Sequence, residues 1–402
     1  MNVRFQVLWA VLFFIIPVSA ALPSPNLESA PREPDYWPTA GWRFASPESQ
    51  GMDSRLLGQL DAKLHSYDIC YNAFLVVRHG YIVFETYPNP VYDENQLHFL
   101  ASVTKSFTAG VFGIAIDKGY ISNIQNPVLA YFPERTVANP SVLKNMMTVR
   151  DLLTMKTGLQ WDEGTYSYDD SRNSFVQWIQ SEDSVQFFLD LPMACAPNWK
   201  WYYNTGASSM LSTLITMTSG KTMYQFADEN LFQPLGITRH YWESDHQGIN
   251  YGGFGLSLLP RDMAKYGFLH LHKGRWDQQQ VISEEWVVES TRMHTLFCPG
   301  YGYGYHWICY PIIGAYAAFG AGGQGICVIP QHDLVIVVTA EEPDGVPFLN
   351  LIKDFVLPSL SASTSKTNAF ANLTGFLALI FGIVVSLLII KKYARNQRSH
   401  RE

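Results

Sequence analysis

Ser102 and Lys105 stand three residues apart, the spacing at which two side chains share one face of a helix. A serine hydroxyl is a weak nucleophile until a base takes its proton, and a lysine desolvated under a pocket has the depressed pKa to assist. The pair opens a run of small and apolar residues from Ser102 to Lys118 that predicts a helix. At a helix N-terminus the unpaired backbone N–H groups favour developing negative charge. The spacing is weak by itself, because the chain repeats it at Ser141/Lys144 and Ser363/Lys366. Ser141 follows Asn139-Pro140 in a connecting stretch, and Ser363 lies beside a terminal apolar run. Within its own window, an N-cap serine followed by a surface lysine explains Ser102 and Lys105 as well as chemistry does.

Two later stretches decide between these readings. Pro197-Asn198-Trp199-Lys200-Trp201-Tyr202-Tyr203-Asn204-Thr205-Gly206 sets a tyrosine pair beside an asparagine, ahead of another apolar helix. A tyrosinate held near a cationic Lys105 would be a general base, since the ammonium lowers the phenol's pKa. Gly320-Ala321-Gly322-Gly323-Gln324-Gly325 then leads into an apolar run, where a glycine-rich strand lets substrate approach and offers an N–H to an oxyanion. The same letters satisfy a dinucleotide fingerprint, but the run that follows is short and ends in Pro330, where a phosphate-binding helix should start. No G-x-S-x-G or H-E-x-x-H occurs, and His270 and His272 face different ways on a helix. No metal site and no cofactor are expected.

The elements around these residues follow from their patterns. Ala73 to Arg78 and Tyr81 to Thr86 are strand-like, with His79-Gly80 as a tight turn. Thr148-Val149-Arg150-Asp151 opens a helix that Gly158 closes. Residues 120 to 260 are polar, aromatic and rich in turns, as a helical insert would be. Tyr303 to Trp307 alternates like a strand, Gly325 to Ile329 is a short apolar run, and Leu334 to Thr339 is strongly β-branched, so three more strands are expected. The expected fold is therefore one sheet built from both ends of the chain, with helices between.

The stretches Leu100 to Ser106, Val149 to Met155, Tyr203-Asn204-Thr205-Gly206, Gly255 to Ala264, Glu284-Glu285-Trp286-Val287 and Gly322-Gly323-Gln324 occur in one order across residues 42 to 357. In this they resemble the β-lactamase-related serine hydrolases, which include class C β-lactamases, D-alanyl-D-alanine peptidases and esterases, and within them the 6-aminohexanoate-dimer hydrolase group. The resemblance implies an α/β (α+β) fold of the β-lactamase/transpeptidase type, an antiparallel sheet flanked by helices. It implies that Ser102 is acylated, that Lys105 assists, and that the catalytic tyrosine is Tyr203 when counted from Pro197. A literal Tyr-x-Asn reading selects Tyr202 with Asn204 instead. The implied oxyanion hole is the N–H groups of Ser102 and Gln324, with Gly322 and Gly323 beside them. The third motif often begins with Lys or His and here has Ala321, which speaks against recognition of a substrate carboxylate. The implied reaction is cleavage of a small-molecule amide or ester. A penicillin-recognising D-alanyl peptidase or β-lactamase, and a non-catalytic binding ectodomain, are the alternatives.

The 402 residues are 47% hydrophobic and 16% charged, a globular composition. Arg4, an apolar run from Val7 to Val18 and the small residues to Ala20 predict a signal peptide over 1–20. An extended segment over 21–41, the hydrolase domain over 42–357 and a stalk over 358–367 are expected to follow. Thr367 to Ile390 is uncharged, which predicts a membrane-spanning helix over 368–390. The basic tail 391–402 is then cytoplasmic and the bulk of the chain outside. Net charge is −7 even with that tail included, so nucleic acid is not an expected partner. The five cysteines form no C-x-x-C, and an exported chain can pair some of them.

Overall fold

The computed structural model describes residues 32–66, 70–342 and 347–360. Its centre is a nine-stranded sheet of Arg43–Phe44 (β1), Tyr71–Arg78 (β2), Tyr81–Thr86 (β3), Thr295–Cys298 (β4), Tyr301–Tyr303 (β5), Ile308–Tyr310 (β6), Ala315–Gly320 (β7), Gln324–Ile329 (β8) and Leu334–Ala340 (β9). The spatial order is β1-β3-β2-β9-β8-β7-β6-β5-β4, antiparallel except where β1 runs parallel to β3. Strands from the two ends of the domain meet where β2 pairs with β9, Leu75 opposite Val337. At the β2–β3 hairpin, His79 and Gly80 take φ of 50° and 82°, the paired left-handed turn that suits the twist of two strands.

Both faces of this sheet are covered, which is why β2 and β9 read as continuous apolar runs rather than alternating ones. Ser54–Leu64 (α1) and the helical residues 348–359 pack on Phe74, Val76, Ile336 and Val338. Thr104–Asp117 (α2), Val149–Leu153 (α3), Thr205–Ser219 (α4) and Pro260–Leu271 (α5) contribute to the opposite layer, with Leu75, Val77, Val335 and Val337. Helices and the small sheet 98–99, 256–258 and 240–242 make up the insert.

Two expectations of secondary structure change. Tyr303 to Trp307 is not a strand: β5 ends at Tyr303, and His306 takes a φ of 60° in the turn before β6. The helix opened by Thr148 keeps its capping box with Asp151 but ends at Leu153, and Met155 turns left-handed, well before Gly158. Residues 32–41 are stitched onto the domain, where Trp276 donates to Thr39 at 2.8 Å and Tyr36 donates to the Gly80 carbonyl at 2.7 Å. The packed domain also runs three residues into the expected stalk, because Ser359 is buried and its carbonyl accepts from Asp53 N–H at 2.7 Å. The five cysteines are unpaired. The signal peptide, the rest of the stalk, the span 368–390 and the tail 391–402 lie outside the described residues. Among the described residues no helix is long and apolar enough to cross a membrane.

Helix α2 is held by close approach. A Cβ at Gly113 would stand 2.2 Å from Trp286 Cδ1, and the Trp286 indole donates to the Ala109 carbonyl at 2.9 Å. Gly113→Ala is expected to lower the unfolding free energy by about 1–3 kcal/mol, as overpacking of a filled core does. Urea unfolding followed by tryptophan fluorescence measures it.

Candidate active site

Ser102 lies in the single 3-10 turn Ala101–Val103 that feeds α2. The turn is pinned at its start, where Leu100 N–H donates to the Leu256 carbonyl at 2.9 Å. Ala101 adopts a left-handed φ of 45°, a conformation that costs a non-glycine residue of order 1 kcal/mol and persists only where neighbours hold it. Gly320 is one such neighbour: a Cβ there would stand 2.5 Å from the Leu100 carbonyl and 3.0 Å from Ser102 N. The end of β7 thus lies directly against the Ser102 amide, and Gly320 pairs with Gln324 across the turn.

The first turns of α2 are polar although buried, and each hydroxyl has a main-chain partner. Thr104 accepts from Leu256 N–H at 3.3 Å, Ser106 donates to the His306 carbonyl at 2.5 Å, and Thr108 donates to the Gly252 carbonyl at 2.7 Å. These bonds tie α2 to the strand before α5 and to the turn after β5. Lys105 is 2% exposed. Its Nζ contacts Ser102 Oγ at 3.1 Å, Thr205 Oγ1 at 3.0 Å and the Gly253 carbonyl at 2.8 Å. Tyr203 donates to Ser102 Oγ at 2.7 Å, and Lys105 Nζ lies 4.6 Å from the centre of its ring.

Of the two tyrosines, Tyr203 meets Ser102. The Tyr202 ring instead faces Lys200 Nζ at 4.5 Å, and its N–H donates to the Met155 carbonyl at 3.0 Å. Asn204 is buried and serves as the N-cap of α4, accepting from Ala207 N–H at 2.9 Å. Gly322 and Gly323 take φ of 82° and 95° in the β7–β8 turn, which a side chain would strain. Gln324 opens β8, with its amide donating to the Ala340 carbonyl at 2.6 Å, and Ala321 is exposed. The second Ser-x-x-Lys is structural. Ser141 caps a short helix, and the buried Lys144 donates to the carbonyls of Ala138 and Leu189 at 2.7 and 2.8 Å. The third lies outside the described residues.

Three residues complete the site that motif reading did not select: Thr205, Gly253 and Glu163. Glu163 is buried, and its carboxylate accepts from Trp161 Nε1, Tyr168 OH, Thr205 N–H and the Thr205 hydroxyl. Thr205 stood inside a quoted motif, two residues after Tyr203, and that offset was its signal. Glu163 carried only the Trp-Asp-Glu-Gly context of a loop.

Burial acts on the two groups in opposite directions. Burial pushes the Lys105 amine down to about 8, with the Glu163 charge opposing it. Burial, and then Glu163, raise the Tyr203 phenol above its ordinary value, against the smaller effect of its bond to Ser102. A tyrosinate beside an ammonium is therefore the disfavoured arrangement, and a phenol beside a readily deprotonated amine the favoured one. His306 is pushed down to about 3 by burial and by Lys105, so it is neutral.

A serine at the head of a helix, with a buried lysine and a tyrosine on its oxygen, set against the end of a strand in a sheet covered on both faces, fits a serine hydrolase. The chain belongs to the beta-lactamase family, whose model matches residues 60–357. The 6-aminohexanoate-dimer hydrolase of Paenarthrobacter ureafaciens is 25% identical over 299 residues, 69% of this chain and 74% of that protein. A Bacillus anthracis protein provisionally assigned as a 6-aminohexanoate-dimer hydrolase superposes with a TM-score of 0.65 at 19% identity, covering 82% of this chain and 88% of its own. A penicillin-binding protein homologue from Caulobacter crescentus gives a TM-score of 0.62 at 13% identity, covering 79% and 99%. Both likenesses are of fold.

The capping bond makes Asn204 a stability residue. Asn204→Ala is expected to lower the unfolding free energy by about 1 kcal/mol, with Asn204→Ser recovering most of the loss. Chemical denaturation of the three proteins measures the difference.

Proposed function

We propose that the protein cleaves a small-molecule amide or ester through an acyl intermediate on Ser102, with Lys105 as general base and Tyr203 as general acid. The observation that carries this is the convergence of Lys105 Nζ and Tyr203 OH on Ser102 Oγ, at 3.1 and 2.7 Å. With its amine at about 8, roughly one Lys105 in ten is neutral at pH 7, enough to act as a base without prior activation. The amine takes the hydroxyl proton as Ser102 Oγ bonds to the substrate carbonyl carbon. The carbonyl π pair moves to oxygen, which the N–H groups of Ser102 and Gln324 receive. Collapse breaks the carbon–nitrogen or carbon–oxygen bond, and the leaving group takes the phenolic proton of Tyr203. The Lys105 ammonium beside that ring returns a proton to the phenolate. Water then attacks the acyl carbon, and the same transfers in reverse release the acid and Ser102.

The likeness to a 6-aminohexanoate-dimer hydrolase supports an amide as the bond cleaved. The absence of a cation at the exposed Ala321 gives no support to a substrate carboxylate held there, and so none to β-lactam or D-alanyl peptide turnover. The buried Lys144 is spent on two main-chain carbonyls, whereas the buried Lys105 also meets a serine hydroxyl that a tyrosine reaches, and that difference favours chemistry over a scaffold.

The direct test is acylation by a fluorophosphonate, read by intact mass. One adduct on the wild type, none on Ser102→Ala, and a rate that rises with pH through about 8 as Lys105 loses its proton are expected. The sign follows from the base being the neutral form. Equal labelling of Ser102→Ala would sink the proposal. For a cleavable ester, Tyr203→Phe is expected to slow turnover by about 10²–10⁴-fold, with Tyr202→Phe close to wild type. An inverted pair would move the acid to Tyr202.

We also propose that residues 368–390 span a membrane with the hydrolase outside the cytoplasm. The uncharged run Thr367 to Ile390 and the basic cluster behind it support this. A C-terminal epitope should be accessible to antibody only after permeabilisation. Staining of intact cells would overturn the orientation.

A further inference from the structure

Lys105 is surrounded by groups whose hydrogen-bonding roles are not equally free. The Gly253 carbonyl can only accept. The Thr205 hydroxyl could do either, but its proton is committed, since it donates to Glu163 Oε1 at 2.5 Å. The Glu163 carboxylate is fixed in turn by Trp161 Nε1 at 2.9 Å, Tyr168 OH at 3.1 Å and Thr205 N–H at 2.8 Å. Four donors on two carboxylate oxygens in a buried site leave little capacity to activate a water. Their combined effect falls on Thr205, which is left with lone pairs only on the side facing Lys105 Nζ.

A neutral amine has two N–H bonds and one lone pair. With Gly253 O at 2.8 Å and Thr205 Oγ1 at 3.0 Å both obliged to accept, the two N–H bonds have fixed destinations. The third contact is Ser102 Oγ at 3.1 Å, and the lone pair turns there. The Ser102 oxygen already accepts from Tyr203 at 2.7 Å, which leaves its own proton free to be given to the amine. Were Glu163 uncharged or displaced, the Thr205 hydroxyl could rotate its proton onto the amine and compete with Ser102 for the lone pair.

We propose that Glu163, acting through the Thr205 hydroxyl, is a positioning residue that makes Thr205 a fixed acceptor and so aims the lone pair of Lys105 at Ser102. This rests on the Ser102–Lys105 reading above. The other titratable groups around Lys105 are Tyr203, whose phenol stays protonated, and His306, which is neutral, so Glu163 supplies the charge that opposes the burial of the ammonium. Tyr168 and Tyr303 lie beyond, against Glu163 and Tyr203, and are raised and protonated.

The test uses the full chain labelled with [13Cε]-lysine, the Lys105 signal being assigned by its loss in Lys105→Arg. Titration reads Lys105 whether or not Ser102 reacts, and fluorophosphonate acylation against pH is measured in parallel. The wild-type midpoint is expected near 8. In Glu163→Gln it is expected to fall by about one unit, a tenfold change in acid dissociation, because the ammonium loses its counter-charge. The acylation limb should move down with it, and its plateau should drop by about 10–100-fold as the lone pair loses its aim. Glu163→Asp, which keeps the charge, should hold the midpoint. Should Glu163→Gln fail to fold, Thr205→Val and Thr205→Ser ask the same question. Valine should lower midpoint and plateau together, and serine, which keeps the hydroxyl, should restore both. An adduct that forms normally while neither Glu163→Gln nor Thr205→Val moves the midpoint overturns the relay alone. A wild type that acquires no Ser102 adduct despite a midpoint near 8 overturns the hydrolase reading, and the role of Glu163 falls with it.

Discussion

A primary amine taken out of water must find acceptors for its N–H bonds or give up its proton, and Lys105 does something of each. Burial weakens its hold on the proton, the Glu163 charge partly restores it, and three oxygens from distant parts of the chain surround the nitrogen. Those oxygens belong to the turn before α2, the start of α4 and the turn at Gly252-Gly253 ahead of the strand that leads to α5. One nitrogen therefore fixes the relative placement of three segments that the sequence separates widely. Ion pairs on the surface impose no such geometry, because solvent screens them and tolerates several arrangements.

The surrounding architecture can be understood as what that nitrogen requires. Helix α2 buries hydroxyls at Thr104, Ser106 and Thr108, each bonded to main chain, so a helix that is otherwise apolar is registered against its neighbours rather than merely packed. Its glycines admit Tyr266 and Trp286 at distances a methyl group would forbid. On the other side, the β7–β8 turn brings Gly320 against Ser102, and the strained Ala101 is held between. A buried hydrogen-bond network of this kind is stable when every member is satisfied and costly when one is not. The hydroxyls and carbonyls around Lys105 meet that condition through partners supplied by α2, α4 and Glu163.

Much of this was legible in the chain because it is local. The hairpin at His79-Gly80, the cap at Thr148 and the strands 324–329 and 334–340 are each written within a few residues, and each is present. Ser102 and Lys105 could be selected by spacing and company, and the tyrosine pair Tyr202-Tyr203 by the motif that holds it. Where the pattern misled, the cause was also local. Tyr303 to Trp307 alternates like a strand, yet His306 in a left-handed conformation makes it a turn, and aromatic alternation does not report φ. Glu163 and Gly253 were invisible for the opposite reason. An acidic loop residue and one glycine among many acquire meaning only when the fold places them on Thr205 and Lys105. Which tyrosine faces the serine depended likewise on a one-residue phase that Met155 and Asn204 set from either side.

The pairing of β2 with β9 has a consequence for how the molecule comes into being. A ribosome delivers Ser102 and Lys105 long before it delivers residues 315–340, yet β2 lies beside a strand from that last stretch and the Ser102 amide lies against the end of β7. During synthesis the first third therefore has an unpaired edge and a helix with no finished wall, the condition in which nascent chains stick to one another and engage chaperones. Long-range pairing of this kind also folds slowly. The order has a temporal consequence: a half-made chain carries Ser102 and Lys105 but not the partners that enclose them, so the arrangement around Lys105 forms only when the domain is complete.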